Sequence, residues 1–255
     1  MNPDSIAIQV EDINKSFNVA SGQVEVLKNI SFNINRGEFL IILGPSGCGK
    51  STLLHTILGL EQPTSGKILI NGKNYYNDPS GRTYSDLRKN KIGMVYQQPY
   101  WIKSLNVVEN TAFPLALLGI NEGKRIKRAY SILEKFNMQN WALYHPSELS
   151  SGQQQKVSLS RALINNPDLI IADEPTGNLD FESGKELINQ LDMINKEEKK
   201  TVIMVTHDLE YLEYADRCIK LFNGEIQKIF LPKENNKEKE EINMKKELYE
   251  KISKE

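Results

Sequence analysis

Residues 44–51 form a glycine-rich stretch that ends in a lysine and a serine. The eight residues are Gly44, Pro45, Ser46, Gly47, Cys48, Gly49, Lys50 and Ser51. An apolar run at 39–43 precedes the stretch, and a segment with helical character at 50–60 follows it. Glycines let successive backbone N–H groups turn toward one anion, and the start of a helix adds positive potential. This strand–loop–helix pattern predicts a phosphate-binding loop for a nucleoside triphosphate with Mg²⁺.

Two side chains of the loop are predicted to act on the nucleotide directly. The ammonium of Lys50 is expected to reach the β- and γ-phosphates, and the hydroxyl of Ser51 is expected to ligate Mg²⁺. Thr52, the next residue, is counted among the nucleotide contacts. Cys48 is interpreted as a small filler of the loop, and the alternative is a thiol that is sensitive to oxidants.

A second pattern places two acids at the end of an apolar strand. The run 169–172 is followed by Asp173 and Glu174. Asp173 is predicted to hold Mg²⁺ through its water shell, and Glu174 is predicted to polarise an attacking water as a general base. Two acids can also merely end a strand, but the buried run before them and the distant phosphate loop favour chemistry.

The third pattern is Leu-Ser-Ser-Gly-Gln at 149–153, ahead of a predicted helix over 154–164. It resembles the signature motif of the ATP-binding cassette (ABC) family, usually Leu-Ser-Gly-Gly-Gln. The resemblance implies that Ser150, Gly152 and Gln153 contact the ATP held by a second copy of the chain. Ser151 in place of Gly, and Lys156 in place of the usual Arg, depart from the family pattern. The alternative is that Ser150 simply caps an ordinary helix.

The same resemblance assigns roles to three single residues. Gln97 matches the glutamine that touches Mg²⁺ and the attacking water, with Gln98 as the competing choice. His207 follows a buried strand and matches the histidine at the γ-phosphate, although a lone histidine is more often structural. Asp180 matches the loop that crosses the dimer interface and is expected to couple the two ATP sites.

Adenine recognition is predicted at Phe17. The family stacks the base on an aromatic residue of an early β-loop, and Phe17 matches that place although Tyr is more usual. Stacking requires only the face of a ring. The alternative is that Phe17 is an ordinary core residue.

The elements that must position these residues are those of an α/β fold. Alternating apolar residues predict short strands early in the chain, whereas continuous apolar runs at 169–172 and 201–205 predict buried parallel strands. Between 104 and 162 the pattern is helical, with Pro114 and Pro146 as expected breaks. The resemblance implies a P-loop NTPase of RecA-like core, with an N-terminal antiparallel β subdomain and an inserted α-helical subdomain.

The expected domain organisation is an ATPase domain over 5–230, with its helical subdomain at about 98–163, and a charged tail over 231–255. Residues 233–255 hold seven Lys and seven Glu. They are too charged to build a core of their own, so a solvated tail is expected, and a helix that docks on the domain or a partner is the alternative.

Composition and the first residues of the chain argue against several other classes. The net charge is −1, which gives no reason to expect a nucleic-acid partner. The two cysteines, Cys48 and Cys218, suggest no disulfide scaffold and fit a reducing compartment. No apolar stretch approaches the ~20 residues that span a bilayer, and residues 1–5 do not resemble a signal peptide. A cytoplasmic protein that reaches the membrane through a partner is therefore expected.

The resemblance also implies the assembly and its work. One loop and one signature motif per chain imply a head-to-tail homodimer around ATP, bound to a transmembrane permease. The sequence over 172–180 is similar to the subgroup that serves lipoprotein release and macrolide efflux. A nutrient-importer ATPase is the second choice. A cassette acting on ribosomes or DNA and an inactive regulatory cassette are further alternatives. Tyr100 and Trp101 would suit the groove that receives the permease, or else belong to the helical core.

Overall fold

The computed structural model describes residues 6–20, 22–74, 76 and 81–232. The chain divides into two compact units. The first joins the chain up to Asn74 with the chain from Val205 onward, and the second runs from Tyr75 to Met204. The charged stretch 233–255 lies outside the described residues, so both interpretations of it stay predictions.

An antiparallel sheet forms the N-terminal part of the first unit. Its strand order is β2–β1–β4–β5, with β1 at Ile6–Val19, β2 at Gly22–Asn35, β4 at Ser65–Ile70 and β5 at Lys73–Asn74. Ile8 and Val10 of β1 and Ile30, Phe32 and Ile34 of β2 are buried, as the alternating pattern predicted, whereas Ile6 is only partly buried. Asn71 and Gly72 both have positive φ, at 51° and 74°, which suits the tight turn that joins β4 to β5.

The phosphate loop begins at a second, buried group of strands in the first unit. β3, Phe39–Leu43, is buried at every residue and runs parallel to β9, Arg217–Phe222. β9 pairs antiparallel with β10, Glu225–Phe230. The helix α1, Lys50–Ile57, begins directly after the loop and is shorter than expected. Leu58 to Leu60 extend the chain beyond its last helical turn.

Parallel strands position Asp173 and Glu174 in the second unit. β6, Ile92–Tyr96, runs parallel to β7, Leu169–Asp173, with Tyr96 opposite Asp173. β8, Thr201–Thr206, lies beside β7, and its last two residues are counted with the first unit. β6 and β7 therefore end at the same level, which brings the residues that follow them to one edge.

Helices make up most of the rest of the second unit. They are α2 at Arg82–Lys91, α3 at Val107–Leu117, α4 at Glu122–Lys135, α5 at Ser151–Leu163 and α6 at Phe181–Glu198. Short 3₁₀ helices occur at Gln139–Trp141 and Pro146–Glu148, and in the first unit at Leu209–Tyr214. In the part of the chain that the structure covers, no helix combines the length and apolarity needed to cross a bilayer.

Further local predictions were wrong in detail. β1 and β2 have 14 residues each and are not the short strands expected, because their pairing continues well beyond the apolar runs. Pro114 lies inside α3 and does not break it. A proline removes one backbone donor of the helix, and α3 is started firmly by a capping box in which Asn106 and Glu109 exchange hydrogen bonds of 2.9 Å. The segment after Asp208 is a 3₁₀ helix and not an α-helix.

Candidate nucleotide-binding site

The phosphate loop is shaped by close backbone approaches in the first unit. A Cβ on Gly44 would lie 2.4 Å from the carbonyl oxygen of Leu221, and one on Gly49 would lie 2.9 Å from that of Val26. Gly49 also has φ of 102°, which only glycine adopts readily. A Cβ on Gly47 would meet nothing within 4 Å. Gly44 and Gly49 are thus fixed by packing, while Gly47 faces open space.

Lys50 lies at the centre of the loop. Its ammonium donates to the carbonyl oxygens of Gly44 at 2.8 Å and Pro45 at 2.9 Å, and its side chain is buried. Ser51 beside it is exposed. A lysine ammonium held against two backbone carbonyl oxygens of the loop supplies positive charge for a phosphate. The conformation agrees with the predicted role of Lys50, whose contact with phosphate stays a prediction.

Cys48 is buried and completes the support of the loop. Its carbonyl oxygen accepts from the N–H of Gly224 at 3.1 Å, in the turn between β9 and β10. A Cβ on Gly44 would lie 2.5 Å from the Cys48 sulfur. The small side chain fills the space behind the loop, which agrees with the interpretation as a filler.

Phe17 lies outside the buried core. It is half-buried on β1, and the ammonium of Lys15 lies 4.6 Å from the centre of its ring. Lys15 is held by an ion pair of 3.1 Å with Glu61 and by a hydrogen bond of 2.8 Å to the carbonyl oxygen of Gln62. A cation at this distance from a ring face is attracted to it. The position disfavours a core role for Phe17 and suits a stacking surface.

His207 is exposed directly after β8. The strand before it is buried at every residue. Thr206 accepts a hydrogen bond from the N–H of Asp208 at 3.0 Å, which turns the chain away from the strand. The exposed position of His207 at a strand end agrees with a ligand-binding role and not with a core histidine.

The ends of β6 and β7 bring together the polar residues of the second unit. Asp173 ends β7, and Gln97 follows Tyr96, the residue opposite Asp173 in the sheet. A Cβ on Gly177 would lie 2.5 Å from the Gln97 amide nitrogen, so this side chain packs on the loop after β7. A carboxylate and a carboxamide at one edge are the oxygen ligands that Mg²⁺ prefers. The donor set fits the metal, and the packing favours Gln97 over Gln98.

Glu174 has an uncommon backbone conformation. Its φ is 45°, in the left-handed region, and its carbonyl oxygen accepts from the N–H of Gly177 at 3.1 Å. A non-glycine residue there is strained by about 1 kcal/mol or more. The tight turn directs the chain away from β7 immediately after Asp173. Such strain is frequent at catalytic positions, which supports the assignment of Glu174.

The signature segment begins α5 with a capping box. Ser150 is the N-cap residue, and its hydroxyl accepts from the N–H of Gln153 at 3.3 Å. The Gln153 side chain accepts in return from the Ser150 N–H at 2.9 Å. Ser151 is exposed at the first helical position, so its side chain disturbs neither bond. Capping is therefore one role of Ser150, and a contact with nucleotide would be added to it.

Gly152 and Asp180 are both adjacent to Ser183. A Cβ on Gly152 would lie 2.8 Å from the Ser183 hydroxyl. Asp180 caps α6 by accepting from the Ser183 N–H at 3.0 Å and from its hydroxyl at 2.8 Å. These bonds, the backbone one first, lower the pKa of Asp180. One turn further, Lys156 forms an ion pair of 2.6 Å with Glu186. The starts of α5 and α6 are thus packed together, and Lys156 takes part in this packing.

An aromatic cluster follows Gln97, and sequence reasoning identified only part of it. Tyr100 is 74% exposed, which excludes a core role, and Trp101 is half-buried. The guanidinium of Arg161 stacks on Trp101 at 4.5 Å and donates to the carbonyl oxygen of Tyr100 at 2.6 Å. Burial lowers the pKa of Arg161 to about 10, so it stays charged at neutral pH. Burial also raises the pKa of Tyr96.

The sequence of this chain is similar to those of known ATP-binding proteins. The family profile described as "ABC transporter" matches residues 27–177. The macrolide export ATP-binding/permease protein MacB of Mannheimia succiniciproducens is 42% identical over 219 residues, which are 86% of this chain and 34% of that protein. The chain thus spans about a third of the length of this relative.

Two further proteins match over nearly their whole length. The lipoprotein-releasing system ATP-binding protein LolD of Buchnera aphidicola is 38% identical over 223 residues, which are 88% of this chain and 97% of that protein. The dimeric ATP-binding cassette MJ0796, solved in a post-hydrolysis state with ADP and Pi, superimposes with a TM-score of 0.81 at 36% identity. The superposition covers 88% of this chain and 98% of that one.

Proposed function

Since this chain belongs to the ABC transporter family, we propose that it is an ATP-hydrolysing subunit that drives a membrane partner. The observation that carries the proposal is the edge formed by β6 and β7, where Asp173 ends its strand and Glu174 and Gln97 directly follow the paired strands. The buried Lys50 in a glycine-rich loop supplies the matching phosphate site. The solved relative bound to ADP and Pi supports the same chemistry.

Each residue has a defined task in this reaction. The loop N–H groups and Lys50 bind the β- and γ-phosphates, and His207 binds the γ-phosphate. Ser51, Asp173 and Gln97 would hold Mg²⁺, which would offset the negative charge on the phosphates. Glu174 accepts a proton from the water that attacks the γ-phosphorus. The bond between the β-γ bridging oxygen and the γ-phosphorus breaks, which gives ADP and phosphate.

The proposed active form is a head-to-tail homodimer. Ser150, Gly152 and Gln153 of one copy contact the ATP held by the phosphate loop of the other, and Asp180 lies at the interface. α5 starts at this motif, so its positive end faces the phosphate. A solved relative described as dimeric, at 37% identity, supports this arrangement. ATP binding closes the dimer, and hydrolysis opens it.

The proposed partner is a transmembrane permease on whose cytoplasmic face the dimer sits. Relatives named for macrolide export and lipoprotein release favour this subgroup over a nutrient importer. Tyr100, exposed beside Trp101, offers the permease an aromatic contact. Phe17 stacks on the adenine of ATP.

The experiment that tests the proposal is hydrolysis by the Glu174→Gln variant. The substitution keeps the size of the side chain but removes the base. We expect ATP binding to be retained and turnover to fall by about 10²–10⁴-fold, the usual contribution of a general base. Phosphate release and ATP binding are measured on the same preparation.

Glu134→Gln is the matched control, because Glu134 is exposed on α4. It should hydrolyse ATP at the parent rate. Parent-rate hydrolysis by Glu174→Gln would show that Glu174 is not the base, and a parent protein without ATPase activity would refute the proposed function.

A further inference from the structure

Gln155 joins α5, called the signature helix because it begins at the signature segment, to the segment that carries Gln97. It lies on α5 and is only 2% exposed. Its amide nitrogen donates to two consecutive carbonyl oxygens, those of Tyr96 at 2.9 Å and Gln97 at 2.8 Å. A single buried side chain thus holds the backbone at the point where β6 ends. Its bonds fix the position from which the Gln97 side chain extends.

Neighbouring contacts run from the same helix to the same segment. The side chain of Gln154 accepts from the Trp101 indole N–H at 2.9 Å and donates to the carbonyl oxygen of Leu149 at 3.1 Å. Arg161, two turns along α5, stacks on Trp101 and donates to the carbonyl of Tyr100. α5 therefore holds the backbone from Tyr96 to Trp101 at several points, and Gln155 is the contact next to Gln97.

The other side of Gln97 is held by the loop after β7. Asn178 donates to the carbonyl oxygen of Gln97 at 3.4 Å, and the Gln97 amide packs against Gly177. The carbonyl of Gln97 thus accepts from two side chains, one on α5 and one in this loop. If α5 moves relative to β7, the Gln97 carbonyl cannot keep both bonds unchanged, because the two donors belong to different elements.

The side-chain oxygen of Gln155 gives a further indication of the role of this residue. Within the described residues, its side-chain oxygen is buried and has no hydrogen-bond partner. An unpaired buried acceptor costs about 1–3 kcal/mol. A nonpolar residue of similar length would avoid that cost but would lose both donated bonds, so those two bonds account for the glutamine at this position.

We propose that Gln155 is a positioning residue that places Gln97 at the Mg²⁺ site according to the position of the signature helix. This rests on the proposed function, in which Gln97 holds Mg²⁺ and the start of α5 meets the ATP of a second copy. When a second copy closes on the signature motif, the resulting shift of α5 is passed to Gln97 by Gln155. A shift of Trp101 is passed along the same helix to the signature motif.

The test is the Gln155→Met variant, which keeps length and removes both donated bonds. Binding of Mn²⁺ in the presence of the non-hydrolysable analogue AMP-PNP is followed by electron paramagnetic resonance. We expect Mn²⁺ to bind about tenfold more weakly or worse, as is usual when a group that orients a metal ligand is lost. AMP-PNP binding measured in EDTA should be unchanged. Hydrogen exchange of a peptide covering 97–101 should be faster.

Gln190→Met is the matched control. Gln190 lies on α6, its side-chain oxygen is likewise buried without a partner within the described chain, and no hydrogen bond joins it to Gln97 there. It should leave Mn²⁺ affinity and exchange unchanged. If Gln155→Met does not fold, Gln155→Leu replaces it.

Gln97→Ala separates this inference from the proposed function. If Gln97→Ala weakens Mn²⁺ binding and a folded Gln155 variant does not, the positioning role is wrong while the metal role of Gln97 stands. If Gln97→Ala leaves Mn²⁺ binding intact, the metal role itself is wrong and the inference fails with it.

Discussion

Phe17, the residue predicted to stack on adenine, lies partly exposed on β1. It is half-buried, and its ring is in contact with a lysine that is itself tied to Glu61 and Gln62. Those two residues follow α1, the helix that begins at the phosphate loop. The predicted stacking residue is thus joined through Lys15 to the segment that follows the helix of the phosphate loop.

Phe17→Ala should weaken ATP binding without affecting the chemical step. Loss of stacking between rings is worth about 0.5–1.5 kcal/mol, so KM for ATP should rise about two- to tenfold with kcat unchanged. Steady-state kinetics at varied ATP measure both. Val24→Ala is the control, because Val24 is the strand partner of Phe17 and is exposed. An unchanged KM in Phe17→Ala would remove Phe17 from the site.

Residue types and spacing predicted much of the candidate site, but not its supports. Lys50, Asp173 and Glu174 lie at short, defined sequence separations from the ends of predicted strands. Such separations can be read directly from a sequence. Gln155 and Ser183 act through contacts between distant elements, which a sequence does not display. The run of three glutamines at 153–155 on a predicted helix was the available signal for Gln155, since one of them had to face inward. The roles of the site residues themselves stay predictions.

The start of α5 is both capped and closely packed against another helix. Ser150 caps the helix, and Gly152 lets it approach α6 at Ser183. The sequence placed most strands within a residue or two, because buried apolar runs mark them. Pro114 was wrongly predicted to break a helix, because a capping box and the burial of α3 outweigh the loss of one hydrogen bond.

Gly152→Ala tests the close approach of the two helices. In an open helix this substitution would stabilise by about 0.5–1 kcal/mol, but here the new Cβ would lie 2.8 Å from the Ser183 hydroxyl. Overpacking of this kind costs about 1–3 kcal/mol, so a net loss of stability is expected in urea unfolding.

Adding Ser183→Ala should recover part of that stability, because the hydroxyl that clashes is removed. If the double variant is as stable as the parent but hydrolyses ATP poorly, Gly152 also has a contact with nucleotide. A stable Gly152→Ala single variant would show that the two helices can separate at no cost.

At the scale of the whole molecule, one chain holds one phosphate loop and one signature motif. The predicted α/β fold and the family are confirmed by the solved cassettes and the family profile. The charged segment 233–255 stays an open prediction, because composition shows that it cannot form its own core but not what it contacts. From this motif count we infer that each ATP is bound by the phosphate loop of one copy and the signature motif of another.

Sedimentation of the Glu174→Gln variant with and without ATP tests that claim most directly. Because hydrolysis should be blocked in this variant, ATP should hold two copies together, and we predict a dimer with ATP and a monomer without it. Adding Ser150→Arg, which places a bulky side chain at the signature motif, should return the ATP-bound variant to a monomer. A Glu174→Gln variant that binds ATP and still sediments as a monomer would contradict the shared site.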